Sequence, residues 1–103
     1  MIRGTTPILT FKINTGLDFE NIEKAEITFK SENGLKEKTW DENDLTIDPE
    51  KKEMYLQLTQ EETLYFNAGK INIQLRLRMN NDMVYASNIV PYSLSCLLKE
   101  GVI

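Results

Sequence analysis

The sequence predicts an all-β protein built as an antiparallel two-sheet sandwich, and three observations carry that prediction. From Lys70 to Met79 the residues alternate without a fault, Ile71, Ile73, Leu75, Leu77 and Met79 on one side, Lys70, Asn72, Gln74, Arg76 and Arg78 on the other. A strand with one dry face and one wet face belongs in an antiparallel sheet packed against a second layer. Shorter strand-like segments recur with turn signals every 8 to 12 residues or so, the spacing of sandwich folds. The chain has 103 residues, enough for one domain that buries roughly two-thirds of its unfolded surface without cross-links.

Each element follows from local pattern. Ile8 to Ile13 comes after Pro7 and places Leu9, Phe11 and Ile13 on one face. Asn14-Thr15-Gly16 is a turn signal, and the link from Leu17 to Ile22 offers Leu17, Phe19 and Ile22 to cap the end of the core. Glu23 to Lys30 turns Ala25, Ile27 and Phe29 inward against Lys24, Glu26, Thr28 and Lys30. Ser31-Glu32-Asn33-Gly34 carries the Asn-Gly pair that supplies positive φ cheaply, joining this strand to Leu35–Trp40 as a hairpin. Trp40, the sole tryptophan, is expected to anchor the core.

The second half reads the same way. Leu45-Thr46-Ile47, the Asp48–Lys52 turn and Glu53–Leu58 form another hairpin, with Met54, Leu56 and Leu58 in register. Thr59-Gln60-Glu61-Glu62 fits a capping box, in which hydroxyl and carboxylate each take one unpaired N–H. It opens one short helical turn over residues 60–66, ended by Ala68-Gly69. After the strand 70–79, Asn80-Asn81-Asp82 reverses the chain into Met83–Leu94, where Val84, Ala86, Val90, Tyr92 and Leu94 share a phase. Pro91 takes the opposite phase, and because proline donates nothing to a ladder it marks an edge or a bulge. About seven strands in this arrangement predict a sandwich of immunoglobulin-like order. The Cys…Trp…Cys signature of antibody domains is absent, so the prediction concerns architecture alone.

Composition excludes more chemistry than it offers. The net charge is −4 with a pI near 4.8, and the 12 basic residues are scattered, which argues against nucleic acid as a partner. The start, Met1 to Pro7, lacks an apolar core segment, and no apolar stretch of about 18 residues follows. Neither secretion nor a membrane partner is expected, and synthesis in a cytoplasm is. There is no histidine, which removes Ser-His-Asp, Cys-His and nearly all zinc chemistry. The carboxylates lie on alternating wet faces, as soluble strands carry them, so no enzyme activity and no cofactor are expected. Cys96, alone and among Leu94, Leu97 and Leu98, reads as a small buried hydrophobe rather than a reactive thiol.

Weaker patterns each have two readings. Asp41, Asn43, Asp44 and Asp48 form an oxygen-rich loop, but it lacks the glycine and glutamate of a calcium loop and reads as a turn with Asx hydrogen bonds. Arg76 and Arg78 either present a stripe to an acidic partner or pair across strands with Glu26 or another neighbouring acid. Tyr55, Tyr65, Tyr85 and Tyr92 could line a sugar-binding face, yet fall in different segments and phases. Leu97, Leu98, Val102 and Ile103 need cover, from the domain's own core or from a partner docked on this tail or on an open sheet edge. Those four residues with Arg76 and Arg78 are the candidate partner contacts.

Arg3-Gly4-Thr5-Thr6-Pro7 with Leu9-Thr10-Phe11, Leu58-Thr59-Gln60-Glu61-Glu62-Thr63-Leu64-Tyr65-Phe66, Ile73-Gln74-Leu75-Arg76 and Ala86-Ser87-Asn88-Ile89 carry a resemblance. Together, nearly end to end, they resemble small virion structural proteins encoded in prophages of Firmicutes. In outline the chain is also similar to the N-terminal immunoglobulin-like domain of phage baseplate upper proteins. One departure is Ile8, which stands where the first pattern has threonine. The resemblance implies a non-enzymatic part of a phage particle, in the tail, baseplate or neck, whose partners are other phage structural proteins and further copies of itself. A carbohydrate- or host-surface-binding module and a small cytoplasmic prophage accessory protein are the alternatives.

Overall fold

The computed structural model describes residues 1–13, 16, 18–99 and 101–103. In chain order its elements are β1 (Ile8–Lys12), a 3-10 turn (Phe19–Asn21), β2 (Ile22–Ser31), β3 (Glu37–Asp41), β4 (Thr46–Asp48), β5 (Glu53–Gln57), α1 (Gln60–Tyr65), β6 (Gly69–Met79), β7 (Val84–Ala86) and β8 (Val90–Leu94). They make two antiparallel sheets, one ordered β1-β5-β4 and the other β3-β2-β6 with β7 and β8 in turn along the far side of β6. The expected all-β sandwich is therefore what the chain forms. In an immunoglobulin constant domain the second strand sits between the first and fifth. Here β2 lies beside β6, where that plan puts the third strand.

Alternation becomes layering as the residues require. On β2 and β6, Ala25 faces Leu77, Ile27 faces Leu75 and Phe29 faces Ile73, all buried, while Glu26 faces Arg76 and Thr28 faces Gln74 on the outer side. Met54, Leu56 and Leu58 close the core from the smaller sheet, with Leu9, Phe11 and Ile13 half-buried beside them. Trp40 anchors as expected, its ring edge-on to Phe29 with centroids 4.6 Å apart. Phe19 caps the end of the core and Ile22 packs partly buried against it. The expected turn residues Asn14 and Thr15, and Leu17, lie outside the described residues.

The capping box forms in full, Thr59 N–H donating to Glu62 at 2.8 Å and Glu62 N–H to the Thr59 hydroxyl at 3.2 Å. The helix ends at Phe66 in extended backbone, and Gly69 opens β6 instead of capping it. The carbonyls left over at that end go to Arg3, a residue whose role no local pattern announces. Its Nε donates to Phe66 C=O at 2.7 Å and its Nη2 to Leu64 C=O at 3.0 Å, so a buried guanidinium ties the N-terminus to α1.

Three further expectations are corrected. In the hairpin turn Gly34 takes φ +74° without Asn33 following it, and the strand begins at Glu37 with Leu35 exposed in the loop. Gly34 N–H donates to Ser31 C=O at 2.8 Å and Ser31 N–H to Lys36 C=O at 2.9 Å, a loop longer than a two-residue turn. The strand expected over Met83–Leu94 is two strands. Arg76 stands opposite Ala86 but Ile73 opposite Val90, one residue more on the outer strand, so a bulge intervenes and flips the phase. Val84 and Ala86 consequently share the outer face with Arg78 and Arg76, while Val90, Tyr92 and Leu94 turn inward. Ser87 holds the bulge, its hydroxyl accepting Leu75 N–H at 3.0 Å.

Candidate functional site

The residues expected to meet a partner do not gather in one place. Arg76 pairs with Glu26 at 3.3 Å, where Glu26 or another neighbouring acid was expected, and Arg78 with Glu23 at 3.2 Å, both across β2 and β6 on the outer face. The pairs are partly exposed, so each is worth a few tenths of a kcal/mol and chiefly fixes register. A depression of about 330 Å³ lies beside them, lined by residues of both signs, Lys24 and Glu42 among them, and by Val84.

The tail is not packed into the core. Leu97 is half-buried over Gly4, where an added Cβ would come within 2.5 Å of the Leu97 side chain. Leu98, Val102 and Ile103 are exposed, and the backbone of Ile103 is held to the Gln60 amide by bonds of 2.7 and 3.2 Å. Cys96 is exposed rather than buried, because the chain leaves the sheet after Leu94 and the alternation that would have turned it inward ends there.

A different surface collects the uncovered apolar residues. Along the outer edge of the larger sheet Met83, Val84, Tyr85, Ile89 and Val90 are all exposed, Val84 at 56 % and Ile89 at 61 %. Soluble proteins usually blunt such edges with charge, proline or cover. The other three edge strands are so treated: β3 turns Lys38 toward Glu62 at 3.8 Å, β1 ends in Lys12 and β4 in Asp48. β8 is covered in part by the N-terminal segment, Arg3 N–H donating to Ser95 C=O at 3.0 Å and Ser95 N–H to Met1 C=O at 2.7 Å, and Pro91 blunts the rest. Among the described residues β7 has none of these. One sequence signal pointed to it: no residue from Met83 to Leu98 is charged, in a chain where 27% are.

The backbone of that edge is also open. Ser87 N–H donates to Leu75 C=O at 2.8 Å and Met79 N–H to Met83 C=O at 2.9 Å. Antiparallel ladders alternate bonded and unbonded positions. Val84 and Ala86, between those residues, thus turn N–H and C=O away from β6.

Titratable groups elsewhere serve the scaffold. Burial alone would raise the Glu62 carboxyl, but hydrogen bonds from the Thr59 backbone and the Trp40 indole, with the Thr59 side chain and Lys38 adding to them, hold it below the usual glutamate value. Tyr55 is pushed up to about 12, first by its hydrogen bond to Glu53. The acidic loop is an Asx turn, Asp41 Oδ1 accepting Asn43 N–H at 2.9 Å and Asp44 Oδ2 accepting Asp41 N–H at 3.2 Å. Among the described residues no three His, Cys, Asp or Glu side chains converge as a metal site, and no helix is long and apolar enough to cross a membrane. Comparison with protein families, curated proteins and solved structures gives no match for the chain.

Proposed function

We propose that this protein is a non-enzymatic structural component of a phage particle, in the tail, baseplate or neck, acting through protein–protein contacts. The observation that supports this reading is the uncharged, exposed β7 edge, with apolar side chains and with backbone groups at Val84 and Ala86 that have no partner among the described residues. Such an edge recruits a strand from another chain or aggregates, so it suits a protein that works within an assembly. The sandwich alone would serve many roles. The virion reading draws on the resemblance of the Arg3–Pro7 start and the Leu58–Phe66 segment to prophage structural proteins.

Mass spectrometry of gradient-purified particles after prophage induction tests the proposal. The chain is expected at a fixed ratio to the major capsid protein, and deletion of residues 97–103 is expected to reduce incorporation while leaving the domain folded. Clean absence from particles, with the chain abundant in the lysate, would refute the virion role in favour of a cytoplasmic accessory protein.

A further inference from the structure

The unguarded edge is specific about what it can accept. Its outward residues are Val84 and Ala86, one on each side of Tyr85. Two copies of this edge laid antiparallel about a two-fold axis at Tyr85 put Val84 of each against Ala86 of the other. Each such pair exchanges N–H···O bonds in both directions, which uses every outward backbone group of β7 and leaves none over. Tyr85 then meets its own counterpart at an unbonded position, with Cα atoms about 4.5 Å apart and side chains on the inner side. Tyr85 lies opposite Leu77 on that side and is 38 % exposed, so its ring has surface left to cover.

Charge selects the same occupant. Asp82, at φ 67°, and Pro91 bound the edge, and nothing between them is charged, so a second copy meets no repulsion. The nearest cations, Arg76 and Arg78, are neutralised by Glu26 and Glu23 one strand in. A partner of opposite charge would find no complementary group on β7 itself, whereas an identical neutral strand matches it in length, register and polarity.

We infer that β7 is a self-pairing edge, through which two copies join their larger sheets in antiparallel register centred on Tyr85. The inference rests on the assembly reading above. Three residues of ladder make a small contact, so the dimer is a weak one that the crowding of an assembly would fill.

Sedimentation of the full chain from about 10 µM to about 1 mM reads the association directly. The mass is expected to climb from monomer toward dimer. Val84→Lys, on a side chain already exposed, is expected to weaken dimerisation at least tenfold with unchanged circular dichroism and thermal midpoint. Register is read by disulfide capture in a Cys96→Ser background: Tyr85→Cys is expected to give a covalent dimer, and Leu35→Cys, exposed in the loop between β2 and β3, is not. A wild-type chain monomeric throughout that range, a Val84→Lys variant that dimerises equally well, or equal capture through Leu35→Cys would overturn the inference. A monomeric chain that still enters particles at fixed stoichiometry would overturn self-pairing and leave the virion reading standing. Absence from particles of a chain that dimerises would do the reverse.

Discussion

Replacing Glu62 tests whether one carboxylate joins α1 to the larger sheet. Its oxygens accept Thr59 N–H at 2.8 Å and the Trp40 indole N–H, and Lys38 stands 3.8 Å away. Glu62→Ala removes all three at once. Loss of the capping contact costs about 1 kcal/mol. The indole N–H, on a tryptophan 5 % exposed, loses its acceptor, at about 1–3 kcal/mol. The Lys38 pair, with the lysine side chain 41% exposed, adds about 0.3 kcal/mol. The expected destabilisation is about 3 kcal/mol, which for a chain of 103 residues lowers the midpoint by about 14 °C. Trp40, the sole tryptophan, reports the transition by fluorescence in urea, and its emission changes with its own partner. Glu62→Gln keeps an acceptor but not the charge, so it is expected to cost about 1 kcal/mol at neutral pH. The native pKa lies below the ordinary value of 4.5, so the charged group's contribution is complete above 4.5 and is lost as pH falls through the native value. The gap between wild type and Glu62→Gln should therefore close on acidification. A loss under about 0.5 kcal/mol for Glu62→Ala, or a gap that does not change with pH, would refute the reasoning.

Arg3→Ala leaves the Phe66 and Leu64 carbonyls without their charged donor and is expected to cost about 3 kcal/mol in urea unfolding, with Arg3→Lys intermediate because one ammonium cannot reproduce the fork. A midpoint unchanged in Arg3→Ala would show that the N-terminus is not tied to α1. Ultraviolet titration of the four tyrosines should show one group ionising near 12, and Glu53→Gln should return it toward 10.0. A late-ionising tyrosine that survives Glu53→Gln would contradict the assignment to Tyr55.

Period-two alternation determined most of the fold, because a strand buried on one face writes its orientation into every second residue. Ile71 to Met79, Ala25 to Phe29 and Met54 to Leu58 were legible for that reason, as was the Thr59–Glu62 cap, whereas for Arg76 only a pairing with Glu26 or another neighbouring acid could be read. Where a contact joins residues distant in sequence, no local pattern announces it. Only the folded chain brings Arg3 to Phe66, Glu62 to Trp40 and β2 beside β6. The edge was decided the same way. Residues 83–94 look like one continuous half-buried strand, and a single inserted residue at the Ser87 bulge reversed the facing of Val84 and Ala86. Cys96 departs from its expected burial because alternation carries meaning only while the chain stays in a sheet. The sequence by itself determined which residues could be strands and which face of most of them was dry. Tertiary structure decided which strands became neighbours, and so which edge was left open, because strand order depends on how the two layers close over one core rather than on any stretch of chain alone.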